Sequence, residues 1–156
     1  MRIYIPATGA DVGREALLPR TVHAVTDELR EALPGDVEEV LEAVAMNAAT
    51  DESLRVLAAL AASGETVYPL RVVIAADVVE RKVTPAEGED DLPTALRLIE
   101  AVNWDDVVSF HVDDAKVADD VVLAIGGDEH AQERVTEEDL MWFDVEERGD
   151  LIEYFG

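Results

Sequence analysis

The chain has 156 residues, and its 36 Asp and Glu residues against 12 Lys and Arg residues give a formal net charge of −24. This excess of acid disfavours nucleic acids and anionic membranes as partners, because phosphate groups are bound by clustered Lys and Arg side chains. The sequence contains no cysteine, which excludes disulfides, zinc–thiolate sites and cysteine nucleophiles.

Hydrophobic residues make up 49% of the chain, which is typical of a folded protein rather than a disordered acidic one. The N-terminal segment lacks the long apolar run of a secretion signal. No apolar stretch approaches the roughly 20 residues that a membrane helix needs. We therefore expect a cytoplasmic protein with a single domain over residues 1–156.

The first elements follow from local patterns. Residues 2–5 alternate in polarity and are followed by Pro6, which predicts a strand. Residues 21–25 form a short extended piece, and Thr26 is placed to cap a brief helix. Residues 36–62 carry apolar side chains at helical spacing, which predicts one long helix or two helices joined near residues 47–51.

The second half of the chain shows more alternation between strand and helix patterns. Its acidic Gly- and Pro-containing stretch predicts an exposed loop. In chain order the predicted elements are a buried strand over 70–79, the loop over 80–93, a helix over 94–102, a strand over 105–112, a helix from 113 or 114 to about 125, a polar helix or loop over 128–139, a strand over 140–145 and an apolar tail over 151–155.

The order strand, helix, strand, strand, helix, strand predicts an α+β ferredoxin-like two-layer sandwich. Its four-stranded, mainly antiparallel sheet would carry helices on one face, with residues 21–33 and 94–102 as extra helical inserts. An open three-layer α/β sheet is the alternative. The alternating first and third strands favour the sandwich, because strands covered on both faces are apolar throughout.

Alternation also predicts a polar sheet face opposite the face that packs on the helices. In the ferredoxin-like order the first and third strands are neighbours, which would bring Tyr4 close to His111, with Trp142 on the adjoining strand. The candidate binding residues on this open sheet face are Arg2, Tyr4, Arg71, Asp77, Ser109, His111, Trp142 and Asp144.

A face that combines aromatic, Arg and His side chains is unusual for a purely solvated surface. We interpret it first as the contact face of a noncatalytic domain that forms a homodimer, binds a protein partner or is covered by the chain's own segments. The alternative is a small-molecule binder or enzyme with a pocket around Tyr4, His111 and Trp142. The sequence does not decide whether the protein is an enzyme, since fold does not imply function.

The segment Gly126–His130 is similar to the Gly-Gly-Asp-Glu-Phe signature of diguanylate cyclases, where the motif lies on a hairpin between strands. Here it follows a predicted helix and precedes a polar segment, so we interpret it as a glycine helix stop and a turn. No glycine-rich phosphate-binding motif occurs, and we expect no nucleotide cofactor.

The sequence offers no recognisable metal site. The three histidines lack zinc-ligand spacing. The acidic run at residues 87–91 lacks the ligand spacing of a calcium loop. The sequence leaves open whether the acidic loop over 80–93 binds a divalent cation.

Several segments resemble a family of short uncharacterised actinobacterial proteins that share a domain of unknown function. The similarity rests on residues 1–8, on 71–74 with 76–78, on 104–108 with 111–113, and on 139–145. It implies a cytoplasmic actinobacterial protein, and it implies no known activity.

Overall fold

The computed structural model describes residues 1–86, 88 and 91–156. Within them, seven strands form one open sheet in which all hydrogen-bonded neighbours are antiparallel. The strands are β1 (Arg2–Ala7), β2 (Thr21–His23), β3 (Val72–Asp77), β4 (Val83–Pro85), β5 (Ala95–Leu98), β6 (Val107–Val112) and β7 (Met141–Asp144). Their spatial order is β4-β5-β2-β1-β3-β6-β7.

Six α-helices accompany the sheet in the described part of the chain. They are α1 (Gly9–Val12), α2 (Asp27–Ala32), α3 (Glu38–Ala62), α4 (Ala118–Ile125), α5 (Glu129–Thr136) and α6 (Arg148–Phe155). The predicted cap of α2 is confirmed, because the Thr26 hydroxyl accepts a hydrogen bond from the Leu29 amide at 3.0 Å. The helices and the seven-stranded sheet together confirm a mixed α/β fold.

The ferredoxin-like sandwich does not describe this sheet. The four strands that the sequence predicted lie side by side in chain order, as β1, β3, β6 and β7. Strand β1 therefore pairs with β3, which is the second of the predicted strands, and β3 separates β1 from β6. Strands β2, β5 and β4 extend the sheet beyond β1 and make it wider than four strands.

One face of the sheet carries the main hydrophobic core. Ile5, Ile74, Phe110 and Phe143 lie in one row across four strands, and the first three are fully buried. Ile3, Val72 and Val112 of these strands belong to the same core. They pack against residues of α1, α6 and the connecting segments, among them Val12, Leu17, Val102 and Leu151.

The long helix α3 lies on the opposite face, and there the prediction of an open face was wrong. Ala45 and Ala49 of α3 pack against Tyr4, Val73 and Ala75. Small alanine side chains let the helix approach the sheet closely. The helix runs past β2, β1 and β3, and it therefore buries the centre of the face that the sequence predicted to be exposed.

A single helix spans the region where a break was considered possible. The Thr50 hydroxyl donates to the Met46 carbonyl at 2.8 Å within the helix. The Ser53 hydroxyl donates to the Ala7 carbonyl at 2.8 Å and accepts from the Val72 amide at 3.0 Å. Ser53 therefore bridges the ends of β1 and β3 and anchors α3 to the sheet.

Helices α4 and α5 form a second layer beside the C-terminal half of α3. Leu57 of α3 and Leu70 pack there against Val121, Ala131 and Val135, all of them buried. This places the segment between α5 and β7 next to the middle of α3, which shapes the candidate site described below.

Residues 94–102 do not form the predicted helix. Residues 95–98 form β5, which pairs with β2 on one side and with β4 on the other. Leu17 and Val102 pair in an isolated bridge. The three-residue spacing of Leu96, Ile99 and Val102 fits a helix, but pairing with two strands outweighs that weak local preference.

Candidate functional site

The structure divides the eight predicted site residues into separate groups. Strand register places Tyr4 in a row with Ala75, Ser109 and Asp144, while His111 lies in the next row on that face, between Val73 and Trp142. Tyr4 and His111 are therefore not neighbours. The prediction that they meet was wrong because it assumed that the first strand pairs with the third.

Arg71 and His111 line a polar cleft of about 590 Å³. The cleft exists because α3 covers β2, β1 and β3 but leaves the side of β6 and β7 uncovered. Its walls come from α3, from β6, from the start of β3 and from the segment that joins α5 to β7. The lining residues are Met46, Asn47, Thr50, Asp51, Arg71, His111, Thr136, Glu138, Asp139 and Leu140.

Arg71 is the buried anchor of this cleft rather than an exposed side chain. Its guanidinium donates to Asp113 from Nε at 2.9 Å and from Nη2 at 2.7 Å, and Nη2 also donates to the Glu138 carbonyl at 3.1 Å. The two side chains are 2% and 0% exposed. The pair thus fixes the segment at Glu138 against the sheet and neutralises the arginine charge.

The sequence predicted Asp113 only as a possible start of a helix. The helical turn after β6 is capped by Asp114, whose carboxylate accepts from the Lys116 amide at 3.0 Å. Asp113 follows β6 directly and Arg71 precedes β3 directly, so antiparallel pairing of these strands brings the two together. An acid and a base at matching strand ends were the sequence signal for this pair.

Ser109 and His111 form a hydrogen-bonded pair on β6, with 3.0 Å between Oγ and Nε2. Ser109 is only 3% exposed, so its hydroxyl lies beneath the cleft surface rather than in it. Burial lowers the pKa of His111, and the positive charge of Arg2 lowers it further. His111 therefore presents a neutral imidazole to the cleft at neutral pH.

Arg2, Tyr4 and Asp77 lie at the other end of the same face. Arg2 donates to Asp77 from Nε at 2.7 Å and from Nη2 at 3.1 Å. This ion pair lowers the pKa of Asp77 and raises that of Arg2. Tyr4 and Arg2 line a smaller cavity of about 240 Å³, and burial, with the nearby charge of Glu42, raises the pKa of the tyrosine.

Trp142 and Asp144 lie on the edge strand β7. Trp142 is opposite His111 in register and is 60% exposed. The Asp144 carboxylate accepts from the Glu146 amide at 2.9 Å and caps the turn after β7. Asp144 therefore has a structural partner, whereas the Trp142 ring is largely open to solvent.

The sequence analysis did not identify the row of polar side chains formed by Thr94, His23 and Glu52. His23 Nδ1 lies 2.8 Å from the Thr94 hydroxyl, and His23 Nε2 lies 3.1 Å from a Glu52 carboxylate oxygen. Because an ionised carboxylate only accepts, Nε2 is the donor toward Glu52. This row of side chains connects β2 and the start of β5 to α3. His23 and Thr94 are 1% and 2% exposed, so neither of these two side chains is accessible to a ligand.

The segment around Gly126 has the structure that its sequence predicts. Gly127 has a φ of 103°, a conformation that favours glycine. The Asp128 carboxylate accepts from the Ala131 amide at 2.9 Å and caps α5. Gly126–Asp128 thus joins α4 to α5, and the strand hairpin of a cyclase signature is not formed there.

Among the described residues, no group of three His, Asp or Glu side chains is arranged to hold a metal ion. Glu87, Glu89 and Asp90 of the acidic run at 87–91 lie outside the described residues. The question of a divalent cation at the loop over 80–93 is therefore not tested. None of the helices described is long and apolar enough to cross a membrane.

The comparison with protein families supplies one match. A family model described as a family of unknown function, DUF6912, covers residues 1–152. The chain belongs to this family. The resemblance to a family of unknown function is thereby confirmed, while the actinobacterial origin stays a prediction. Comparison with curated proteins and with solved structures found no match.

Proposed function

We propose that this DUF6912 protein is a binding protein that holds a small polar ligand in the cleft between α3 and β6. The observation that carries this proposal is the convergence of side chains from four segments on one concave space of about 590 Å³. A concave pocket with a few convergent polar groups is the usual form of a ligand site. Two of the lining residues, Arg71 and His111, are among the binding residues predicted from the sequence.

The cleft favours neutral or positively charged ligands. The acidic residues that line it are Asp51, Glu138 and Asp139. In the described part of the chain, only Glu138 of these three has a basic neighbour, Lys116 at 3.6 Å, and the charge of Arg71 is already paired with Asp113. His111 adds no positive charge at neutral pH, because burial lowers its pKa. Carboxylates accept hydrogen bonds, so a ligand bearing amino or hydroxyl groups fits this lining and an anion does not.

Binding fits the geometry better than catalysis does. Ser109 and His111 are within hydrogen-bonding distance, as in a nucleophile and its base. However, Ser109 is buried beneath the cleft and does not line it. The hydroxyl is therefore not placed to attack a bound molecule, and the pair supports the shape of the cleft.

A thermal-shift screen with amines, amino sugars and polyols, set against a matching series of carboxylates and phosphates, tests this proposal. Ligands of the first group should raise the melting temperature, because binding to the folded state stabilises it by mass action. Asp51→Asn removes one exposed carboxylate of the cleft and should weaken binding by at least about tenfold, since hydrogen bonds to charged groups contribute about 1.5–3 kcal/mol.

The matched control is Glu31→Gln on α2, which removes a carboxylate outside the cleft and should leave binding unchanged. A screen in which anions stabilise the protein, or in which Asp51→Asn binds as tightly as the wild type, would contradict the proposal.

We infer from the exposed Trp142 on edge strand β7 that a noncatalytic protein-binding role is the second candidate. The homodimer predicted from the sequence is one form of this role. Light scattering of the wild type and of Trp142→Glu tests self-association through β7. A dimer that the substitution dissociates supports self-association, and a wild-type monomer contradicts self-association.

A further inference from the structure

The outer edge of β7 presents unpaired backbone groups. The Asp144 amide donates to the Glu147 carboxylate at 2.7 Å and so points away from β6. In an antiparallel ladder, successive residues point alternately toward and away from the neighbouring strand. The N–H and C=O of Trp142, two residues earlier, therefore also point outward, where no further strand is found in the described part of the chain.

The two faces beside this edge offer different side-chain environments. On the α3 face, the 60% exposed ring of Trp142 lies opposite His111. On the other face, Met141, Phe143 and Tyr154 line a mainly apolar cavity of about 210 Å³, together with the acidic residues Glu147 and Asp150. A strand added at this edge would place alternate side chains on these two surfaces.

Charge identifies the chemistry of the partner. Acidic side chains surround β7 in sequence at Glu137, Glu138, Asp139, Asp144, Glu146, Glu147 and Asp150. The one basic residue in this segment, Arg148, is engaged elsewhere: it stacks on Trp104 at 3.9 Å and donates to the Val12 and Arg14 carbonyls. A second copy of the chain would bring a second acidic edge against this one.

We propose that the edge of β7 docks an extended, cationic segment of a partner protein as an additional antiparallel strand. Backbone hydrogen bonds to Trp142 provide the register, and alternate Lys or Arg side chains meet the two faces. One set lies over the Trp142 ring, where a cation is attracted to the aromatic face. The other set buries its aliphatic part beside Met141 and Phe143, with its charge near Asp150.

Fluorescence-anisotropy titration with a labelled peptide of consecutive arginines, whose side chains reach both faces of an added strand, tests this proposal. We expect saturable binding that weakens as salt is raised, because exposed charges are screened. N-methylation of alternate peptide amides should abolish it, since it removes the backbone donors without changing charge. Trp142→Ala should weaken binding about two- to fivefold, the range of an exposed cation–π contact.

Matched variants separate this surface from the cleft. Asp150→Asn should weaken peptide binding, while Glu31→Gln and the cleft variant Asp51→Asn should bind the peptide like the wild type. Peptide binding that survives N-methylation would show unspecific attraction to an acidic surface and would overturn the proposal. So would the absence of binding, or a dimer of the free protein that Trp142→Ala dissociates.

Discussion

Removing one partner of the buried pair of Arg71 and Asp113 should destabilise the protein more than removing one partner of an exposed ion pair in the described part of the chain. Asp113→Asn keeps the size of the side chain but leaves the arginine, at 2% exposure, without its counter-charge. Removing one partner of a buried pair costs about 3–5 kcal/mol, because the remaining charge is desolvated and uncompensated. That is a large part of the roughly 5–15 kcal/mol by which a domain is stable.

The chain contains a matched control in Arg2 and Asp77. This pair has the same residue types and two similar hydrogen bonds, but its side chains are 42% and 55% exposed. Asp77→Asn should therefore cost less than about 1 kcal/mol. The contrast between the two variants isolates burial as the cause.

Urea denaturation followed by far-UV circular dichroism measures both variants. With a urea dependence of about 1–3 kcal/mol per molar, Asp113→Asn should lower the midpoint by about 2 M. Replacing both partners together, as in Arg71→Met with Asp113→Leu, should recover much of the loss, because no buried charge is left. If Asp113→Asn and Asp77→Asn shift the midpoint equally, the reasoning is refuted.

Three further predictions concern α1, the anchor of α3, and the cleft histidine. Gly9→Ala places a Cβ atom 2.5 Å from the Phe155 ring and should destabilise the protein by about 1–3 kcal/mol through overpacking, measured as a lower melting temperature. Ser53→Ala leaves one buried carbonyl and one buried amide without their bridging hydroxyl, and it should cost about 2 kcal/mol or more in urea titrations. Burial lowers the pKa of His111, so the unfolded chain takes up a proton more readily than the folded one. Stability should therefore fall as the pH drops below about 6.5, and it should fall less in His111→Asn.

Each of these predictions has its own control or contrary result. Gly13→Ala meets no atom within 4 Å and should leave the melting temperature nearly unchanged. Ser63→Ala removes an exposed hydroxyl that donates to the Leu60 carbonyl within its own helix turn. If Ser53→Ala and Ser63→Ala lower the free energy of unfolding equally, the bridging role of Ser53 is contradicted. Parallel stability–pH curves for the wild type and His111→Asn would show that this histidine is not protonated more easily on unfolding.

The strands and their faces were predictable because alternation is a local property. The period of two in residues 2–5 assigns Ile3 and Ile5 to one face, and both are fully buried there. In strand β6, alternation alone does not assign every residue to the correct face. The pairing with β3 shifts between Ala75 and Ala76, so that Ala75 pairs with Ser109 and Ala76 with Val107. Val107 therefore joins the main core and not the face that carries Ser109.

The order of the strands was not predictable from these patterns. Alternation indicates which face a residue occupies, but it does not indicate which strand pairs with which. The ferredoxin-like order matched the chain order of the predicted elements, but it placed β1 beside β6, whereas β1 pairs with β3. The short strands β2 and β5 carry weak signals of their own, and they are stabilised by pairing with each other and with their neighbours.

The candidate site was predictable in part. Arg71 and His111 were selected because strand alternation places them on the polar face of the sheet, and both line the cleft. Asn47 and Asp51 were not selected, because helix α3 presents alanines to the sheet and its buried side is hard to distinguish by hydrophobicity. The position of α3 over Tyr4 is a tertiary property, and it separates the two ends of the predicted face.

Chemical-shift mapping by NMR with an amine or amino-sugar ligand from the thermal-shift screen tests the central claim most directly. The account predicts that the largest backbone and side-chain shifts occur at Asn47, Asp51 and His111, and that Asp51→Asn reduces them. Shifts confined to other surfaces, or a spectrum that no ligand of this class changes, would contradict the assignment of this cleft as a binding site.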